Sequence, residues 1–219
     1  MNFRILGRLA GVVGVLAVTA GLAGCMDVDA QIEVLSAKTG KATTSMTIGA
    51  DFYPMLKQMT AAGGDDAKSD DAFCQEAGEK LTENADGSAT CVTSKEGELA
   101  TLMSDAEGPS NDASFTEISP GVIRVAFKTS EMKSQVAEGA GGGASTDANS
   151  AEAVQAMAMI KPYFEGHKIS ITVKGKKITD TNMTKSGDGS SATIEIPFND
   201  LLDGKATVPD ELFAVVDTN

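Results

Sequence analysis

Val28, Ala30, Ile32 and Val34 alternate with Asp27, Asp29, Gln31 and Glu33, the period of two that turns one face of a strand to a core and the other to water. Thr39-Gly40-Lys41 reads as a turn. Thr43 to Ile48 is rich in β-branched residues and sets Thr44, Met46 and Ile48 on one face, so the two segments predict a hairpin. Asp51 is placed to cap a helix whose first turn holds Phe52, Tyr53 and Pro54, because proline is tolerated where the amide has no intrahelical acceptor. Met55, Leu56 and Met59 continue its apolar side, and Gly63-Gly64-Asp65-Asp66 ends it.

Phe73, Ala77 and Leu81 recur every four residues behind acids in the first turn, which predicts a short helix from Asp70 to Leu81. Asn84-Ala85-Asp86-Gly87 then forms a loop, and Leu99, Leu102 and Met103 suggest one further apolar turn. Phe115 to Ile118, the turn Ser119-Pro120-Gly121 and the run Val122 to Phe127 read as a second hairpin, with Ile123, Val125 and Phe127 pointing one way. The glycine-rich, small and polar stretch from Ala137 to Ser150 buries too little surface to order itself and is expected to be a flexible loop. Ala153, Met157, Ile160 and Phe164 form the stripe of a helix over Ala151 to Phe164, capped by Ser150 and bent or shortened by Pro162. Ile169, Ile171 and Val173 alternate in a strand, Gly175 turns, another strand passes Ile178, and Ile194, Ile196 and Phe198 alternate again after Ser186-Gly187-Asp188-Gly189. The sequence order predicts an α+β domain: a mostly antiparallel sheet covered by a few helices.

The first 24 residues obey a different pattern. Arg4 and Arg8 precede an apolar run from Leu9 to Leu22 broken only by Thr19, the charged and hydrophobic regions of an export signal. The run is shorter than the roughly 20 residues a membrane span needs. It ends Leu22-Ala23-Gly24-Cys25, which resembles the lipobox of bacterial lipoproteins, where the cysteine thiol takes a diacylglycerol with acyl chains of the palmitate kind and the signal is cut off ahead of it. The expectation is a cleaved signal peptide over 1–24 and a single envelope domain over 25–219, lipidated at Cys25. The alternative is an ordinary cleaved signal, which leaves an odd thiol in an exported protein. One acyl chain holds a membrane weakly, at about 0.8 kcal/mol per buried CH2, and several chains on one residue hold it for good. Met26, not aspartate, follows the cysteine; by resemblance to the sorting rule of two-membrane bacteria this directs the protein to the outer membrane, and in other hosts to the outer face of the plasma membrane.

Loss of Arg4 and Arg8 takes the formal charge from −13 to −15. Such acidity makes nucleic acid and anionic headgroups poor partners, and serves solubility. Once Cys25 is acylated, Cys74 and Cys91 remain. In an exported chain they are expected to form a disulfide worth about 3 kcal/mol; a metal or redox pair of thiols, which wants closer spacing or added ligands, is the competing reading.

Positive signs of catalysis are missing from the sequence. His167 is the one histidine, opens a predicted strand beside no nucleophile motif, and reads as a surface or edge residue. Neither a Gly-x-Ser-x-Gly, a zinc signature, a Ser-x-x-Lys nor a phosphate loop occurs, so no cofactor or metal is expected and a hydrolase using acidic side chains is a minor alternative. Asp65, Asp66, Asp70 and Asp71 lack the spacing of a calcium loop and read as a solvated acidic loop, and Asp188-Gly189 as a turn. Nine methionines against nine aromatics in the mature chain fill a core or line an adaptable apolar cavity. Met55, Met59, Met157 and Met159 are the candidates for the cavity, since they fall on predicted helices.

Both ends of the mature chain resemble the LppM-like domain of bacterial envelope lipoproteins. Cys25 is followed at once by the strand Val28 to Val34 and by Thr39-Gly40-Lys41; near the end come Gly166-His167-Lys168-Ile169-Ser170-Ile171-Thr172-Val173, Ile178-Thr179-Asp180-Thr181-Asn182 and Gly187-Asp188-Gly189. That family tends to place a tryptophan where this chain has Ile194 and Ile196, and the middle of the chain has no counterpart. The resemblance implies an α+β domain facing the envelope, with lipid or glycolipid binding proposed for some members and no catalytic residues. The functional expectation is a non-enzymatic, membrane-anchored protein that binds a hydrophobic ligand or a protein partner, with a structural role in an envelope complex as the alternative.

Overall fold

A computed structural model describes residues 26–62, 73–74, 78–102, 113–129, 161–203 and 205–219. The signal region with Cys25, the acidic loop of Asp65, Asp66, Asp70 and Asp71, the glycine-rich stretch 137–150, and the portion of the predicted 151–164 helix that carries Met157 and Met159 all lie outside the described residues.

β1 (Met26–Val34) and β2 (Thr39–Ile48) form the predicted hairpin, with Met26, Val28, Ile32 and Val34 buried as their alternation requires. Its turn is Leu35 to Lys38, not Thr39-Gly40-Lys41. The amides of Leu35 and Ser36 donate to the Thr39 carbonyl, and the Ser36 hydroxyl accepts the amides of Lys38 and Thr39. Gly40 therefore lies inside β2, where a Cβ would stand 2.5 Å from Leu99 Cδ2 and 2.8 Å from the Glu33 carbonyl. Its smallness lets α2 (Leu99–Leu102) pack directly on the strand.

α1 (Tyr53–Ala62) is the predicted helix, entered through amides of Phe52 and Tyr53 that both donate to the Gly49 carbonyl. The helix expected over Asp70 to Leu81 is not formed at its C-terminal end: Lys80–Glu83 is a strand, β3, paired with β4 (Ala89–Glu98) across the Asn84 to Ser88 turn. Recurrence every four residues is met here by a bend at Phe73 and a strand at Leu81, because pairing of Leu81 with Cys91 outweighs weak local helix preference.

β5 (Ala113–Ser119) and β6 (Val122–Lys128) make the second hairpin, and β7 (Lys168–Lys174), β8 (Lys177–Thr181) and β10 (Ser191–Pro197) are the strands expected around Ile169, Ile178 and Ile194. β9 is the two-residue Thr184–Lys185. Phe198 does not continue β10; it opens α3 (Phe198–Leu202). Pro197 has no amide hydrogen to extend the ladder, and the Phe198 amide turns to the His167 carbonyl instead. A last strand, β11 (Glu211–Asp217), has no counterpart among the sequence expectations.

The strands divide between two sheets, ordered β3-β4-β2-β1-β7-β10-β9 and β5-β6-β11-β8. Every pairing is antiparallel except β1 with β7. The fold is α+β, mostly antiparallel sheet with a few short helices, as expected, but with two sheets in place of one. The larger sheet buries one face. Over its C-terminal half of β1 that face meets the second sheet, where Ile32, Val34 and Val173 pack with Ile123, Val125, Leu212 and Val216. Over the N-terminal half of β1 it is covered by smaller pieces: Tyr53 and Leu56 of α1, Phe73, Phe164 of a 3-10 turn at Lys161–Phe164, and Phe198.

Gly175 joins β7 to β8, and a Cβ built on it would overlap Val216 Cγ1. Gly175→Ala is accordingly expected to cost about 1–3 kcal/mol, the usual range for overpacking, read as a lower urea midpoint at unchanged slope. Adding Val216→Ala should cost less in the Gly175→Ala background than in the parent, because the methyl then occupies the space that valine vacates.

Candidate functional site

Of the residues that the sequence marks for function, Met55, Met59, Cys74 and Cys91 are described, and α1 and the start of β4 bring them to the end of the larger sheet where β1 starts. Met26, buried against Ile48, is joined to Cys25 by one peptide bond. The bridge expected between Cys74 and Cys91 is present, with Sγ atoms 2.02 Å apart and Cα atoms 5.5 Å apart. It fastens the Phe73-Cys74 bend to the start of β4, beneath α1. Glu79 places a carboxylate oxygen within 4.8 Å of both sulfurs, but sulfurs bonded to each other offer no thiolate to a metal.

α1 is pinned at the same end. Tyr53 donates its hydroxyl hydrogen to Glu83 Oε1 at 2.8 Å, Lys57 Nζ donates to the same oxygen at 3.0 Å, and the ammonium stands 4.5 Å from the centre of the Tyr53 ring. Lys57 first, then the tyrosine hydroxyl, holds the Glu83 carboxyl below its ordinary value. The neighbouring Asn84–Ser88 turn is closed by Asp86, whose Oδ1 accepts the Ser88 hydroxyl and amide and whose carboxyl is lowered by them.

Of the four candidate methionines, Met55 faces outward on α1, 46% exposed, and Met59 lies on the backbone of the same helix. His167 stands between the 3-10 turn and β7, and its backbone is spoken for: the amide donates to Phe164 and the carbonyl accepts from Phe198. Its Nδ1 lies 3.4 Å from Asp27 Oδ2, while Asp27 Oδ1 accepts the Lys168 amide at 3.0 Å. This contact joins the second residue after Cys25 to the entry of β7. Sequence reasoning missed it, because the parallel pairing of β1 with β7 spans most of the chain; the one available signal was the acid next to the strand start.

At the opposite end, the Asp188 turn behaves as a turn. The carboxylate accepts the hydroxyls of Ser186 and Ser190 and the Ser190 amide, and these bonds, the Ser186 hydroxyl foremost, bring its pKa down to about 2. A depressed carboxyl stabilises the fold above its unfolded value, 3.8, and loses that contribution as pH falls towards 2. The stability difference between the parent and Asp188→Asn is therefore expected to be constant above about pH 5 and to shrink between pH 4 and 2, as measured by urea unfolding at each pH.

No family model matches the chain, and no curated protein matches it. Among solved structures, the NMR structure of the folded domain of the Mycobacterium tuberculosis protein LppM is similar at a TM-score of 0.45 and 9% identity, covering 100% of this chain and 96% of that one.

Proposed function

We propose that this chain is a lipid-anchored cell-envelope protein without a catalytic role. Its acidic domain is held at a membrane surface by acyl chains on Cys25 and binds there a hydrophobic ligand, such as a lipid or glycolipid, or a protein partner. The membrane is the outer one in a two-membrane host and otherwise the outer face of the plasma membrane. The observation that carries the reading is Leu22-Ala23-Gly24-Cys25 at the end of the apolar run, joined without a spacer to the first buried residue of the fold.

Support for a non-catalytic role comes from five carboxyls among the described residues and the direction in which their surroundings move them. Glu83, Asp86, Asp188, Asp203 and Asp217 are all held below their ordinary values, by lysines, hydroxyls or amides. A general acid working near neutrality needs a carboxyl raised. A specific observation also favours the assembly reading: β3 is an edge strand with all four residues exposed, a template to which another chain can add.

Native mass spectrometry of the detergent-extracted protein tests the binding step. The acylated chain is expected to carry a further non-covalent lipid mass, or to elute with a second protein. An acylated chain that retains neither would overturn it.

A further inference from the structure

The anchor position fixes which side of the molecule meets lipid. We propose that the end of the larger sheet formed by the start of α1, the Asn84–Ser88 turn and the Glu165-Gly166 turn is a bilayer-facing rim, with Met55 at its apolar point and the sheet standing upright on the membrane. This rests on the lipid-anchor reading of Cys25.

Consecutive Cα atoms are about 3.8 Å apart, so an acylated Cys25 holds Met26 within a residue's length of the headgroups. Met26 has no slack, being 4% exposed and in register with Ile48. The chain then dictates what lies beside it. Ile48 pairs with Ala89, and Lys168 pairs with Pro197 at the same end of the sheet, which brings the turns following Ile48, preceding Ala89 and preceding Lys168 to one level. Gly87 and Ala50 are neighbours there: a Cβ on the glycine would touch the alanine methyl at 3.5 Å.

A domain tethered at one point can still lie flat, and the chemistry of the two sheet faces argues against it. Among the described residues, the face turned away from the second sheet carries Asp27, Asp29, Glu33 and Glu195 together with Lys41, Lys168 and Lys174, seven ionised groups that lose hydration if pressed into a bilayer. The other face is covered by the second sheet and by α1. The rim, by contrast, exposes Pro54, Met55 and Ala85. Asp51, Asp86 and Glu165 are also exposed there, so the acyl chains, not charge, hold the rim to lipid. β1, at nine residues, then carries its far end about 26 Å outward at a rise of roughly 3.3 Å per residue. The Lys176 turn and the Asp188 turn project away from the membrane.

The chain has no tryptophan, so one introduced residue reports alone. Met55→Trp, Ala85→Trp and Lys176→Trp, each made as the full precursor in a lipoprotein-processing bacterium, would be extracted and placed in phosphatidylcholine vesicles containing a headgroup spin label. Met55→Trp and Ala85→Trp are expected to lose most of their emission and Lys176→Trp almost none. Two reporters on separate elements guard against one variant failing to fold. Quenching of Lys176→Trp alone, or equal quenching of all three, would overturn the upright orientation. The intact mass of each sample separates the two claims: acylated protein with the wrong pattern refutes the orientation only, and protein without acyl mass refutes the anchor and the orientation with it.

Discussion

Cys25→Ser is expected to carry no acyl mass, to remain uncut ahead of residue 25, and to release to the soluble fraction any domain freed from the signal by other routes. A serine hydroxyl cannot form the thioether, and the hold that is lost is large: each buried CH2 contributes about 0.8 kcal/mol, and several chains on one residue make release negligible. Little else offers to replace it. Among the described residues no helix is long and apolar enough to cross a membrane. Among the described residues, the exposed large hydrophobics Leu35, Met55, Leu81 and Ile118 sit on four separate segments. Fractionation with intact-mass analysis of each fraction distinguishes an uncut precursor, still held by its apolar run, from a released domain.

The paired replacement Cys74→Ala with Cys91→Ala is expected to lower stability by about 2–3 kcal/mol. Closing a loop of this size contributes about 3 kcal/mol by restricting the unfolded chain. Against this, Cys74 sits at φ 74°, a left-handed conformation that costs a non-glycine residue about 1 kcal/mol and can relax once the bridge is gone. Cys91, 5% exposed, also packs in the small core with Tyr53, Leu56 and Phe73. The effect should therefore be local first. Hydrogen exchange is expected to speed up at β3 and the start of β4 more than at Val125 or Leu212 in the second sheet. A loss under about 1 kcal/mol, or uniform loosening of both sheets, would contradict this division of the core.

Legibility in the sequence followed how local each determinant was. The alternation in Val28 to Val34, Val122 to Phe127 and Ile169 to Val173 announced strands because its period of two is that of a sheet, and the Cys pair was readable as the two cysteines that remain once Cys25 is set aside. β3 was not readable: all its residues are exposed, so no periodicity marks it, and it exists by pairing with β4. β11 escaped for the opposite reason. It lies between β6 and β8 with Leu212, Ala214, Val215 and Val216 all buried, and a continuous apolar run shows no alternation. The division into two sheets and the parallel meeting of β1 with β7 depend on residues far apart in sequence, as does the approach of His167 to Asp27. Of the site, the Cys74–Cys91 bridge was legible from residues alone. That the start of α1, the Asn84–Ser88 turn and the entry of β7 share the end where β1 begins was not, since it follows from the register of strands far apart in sequence.

The most direct test of the anchor is the intact mass of the mature protein extracted from the membrane of its host. A chain beginning at Cys25, heavier than residues 25–219 by a diacylglyceryl group with or without a further acyl chain, is the predicted result. A mature chain of unmodified polypeptide mass, or one cut elsewhere with a free Cys25 thiol, would contradict it.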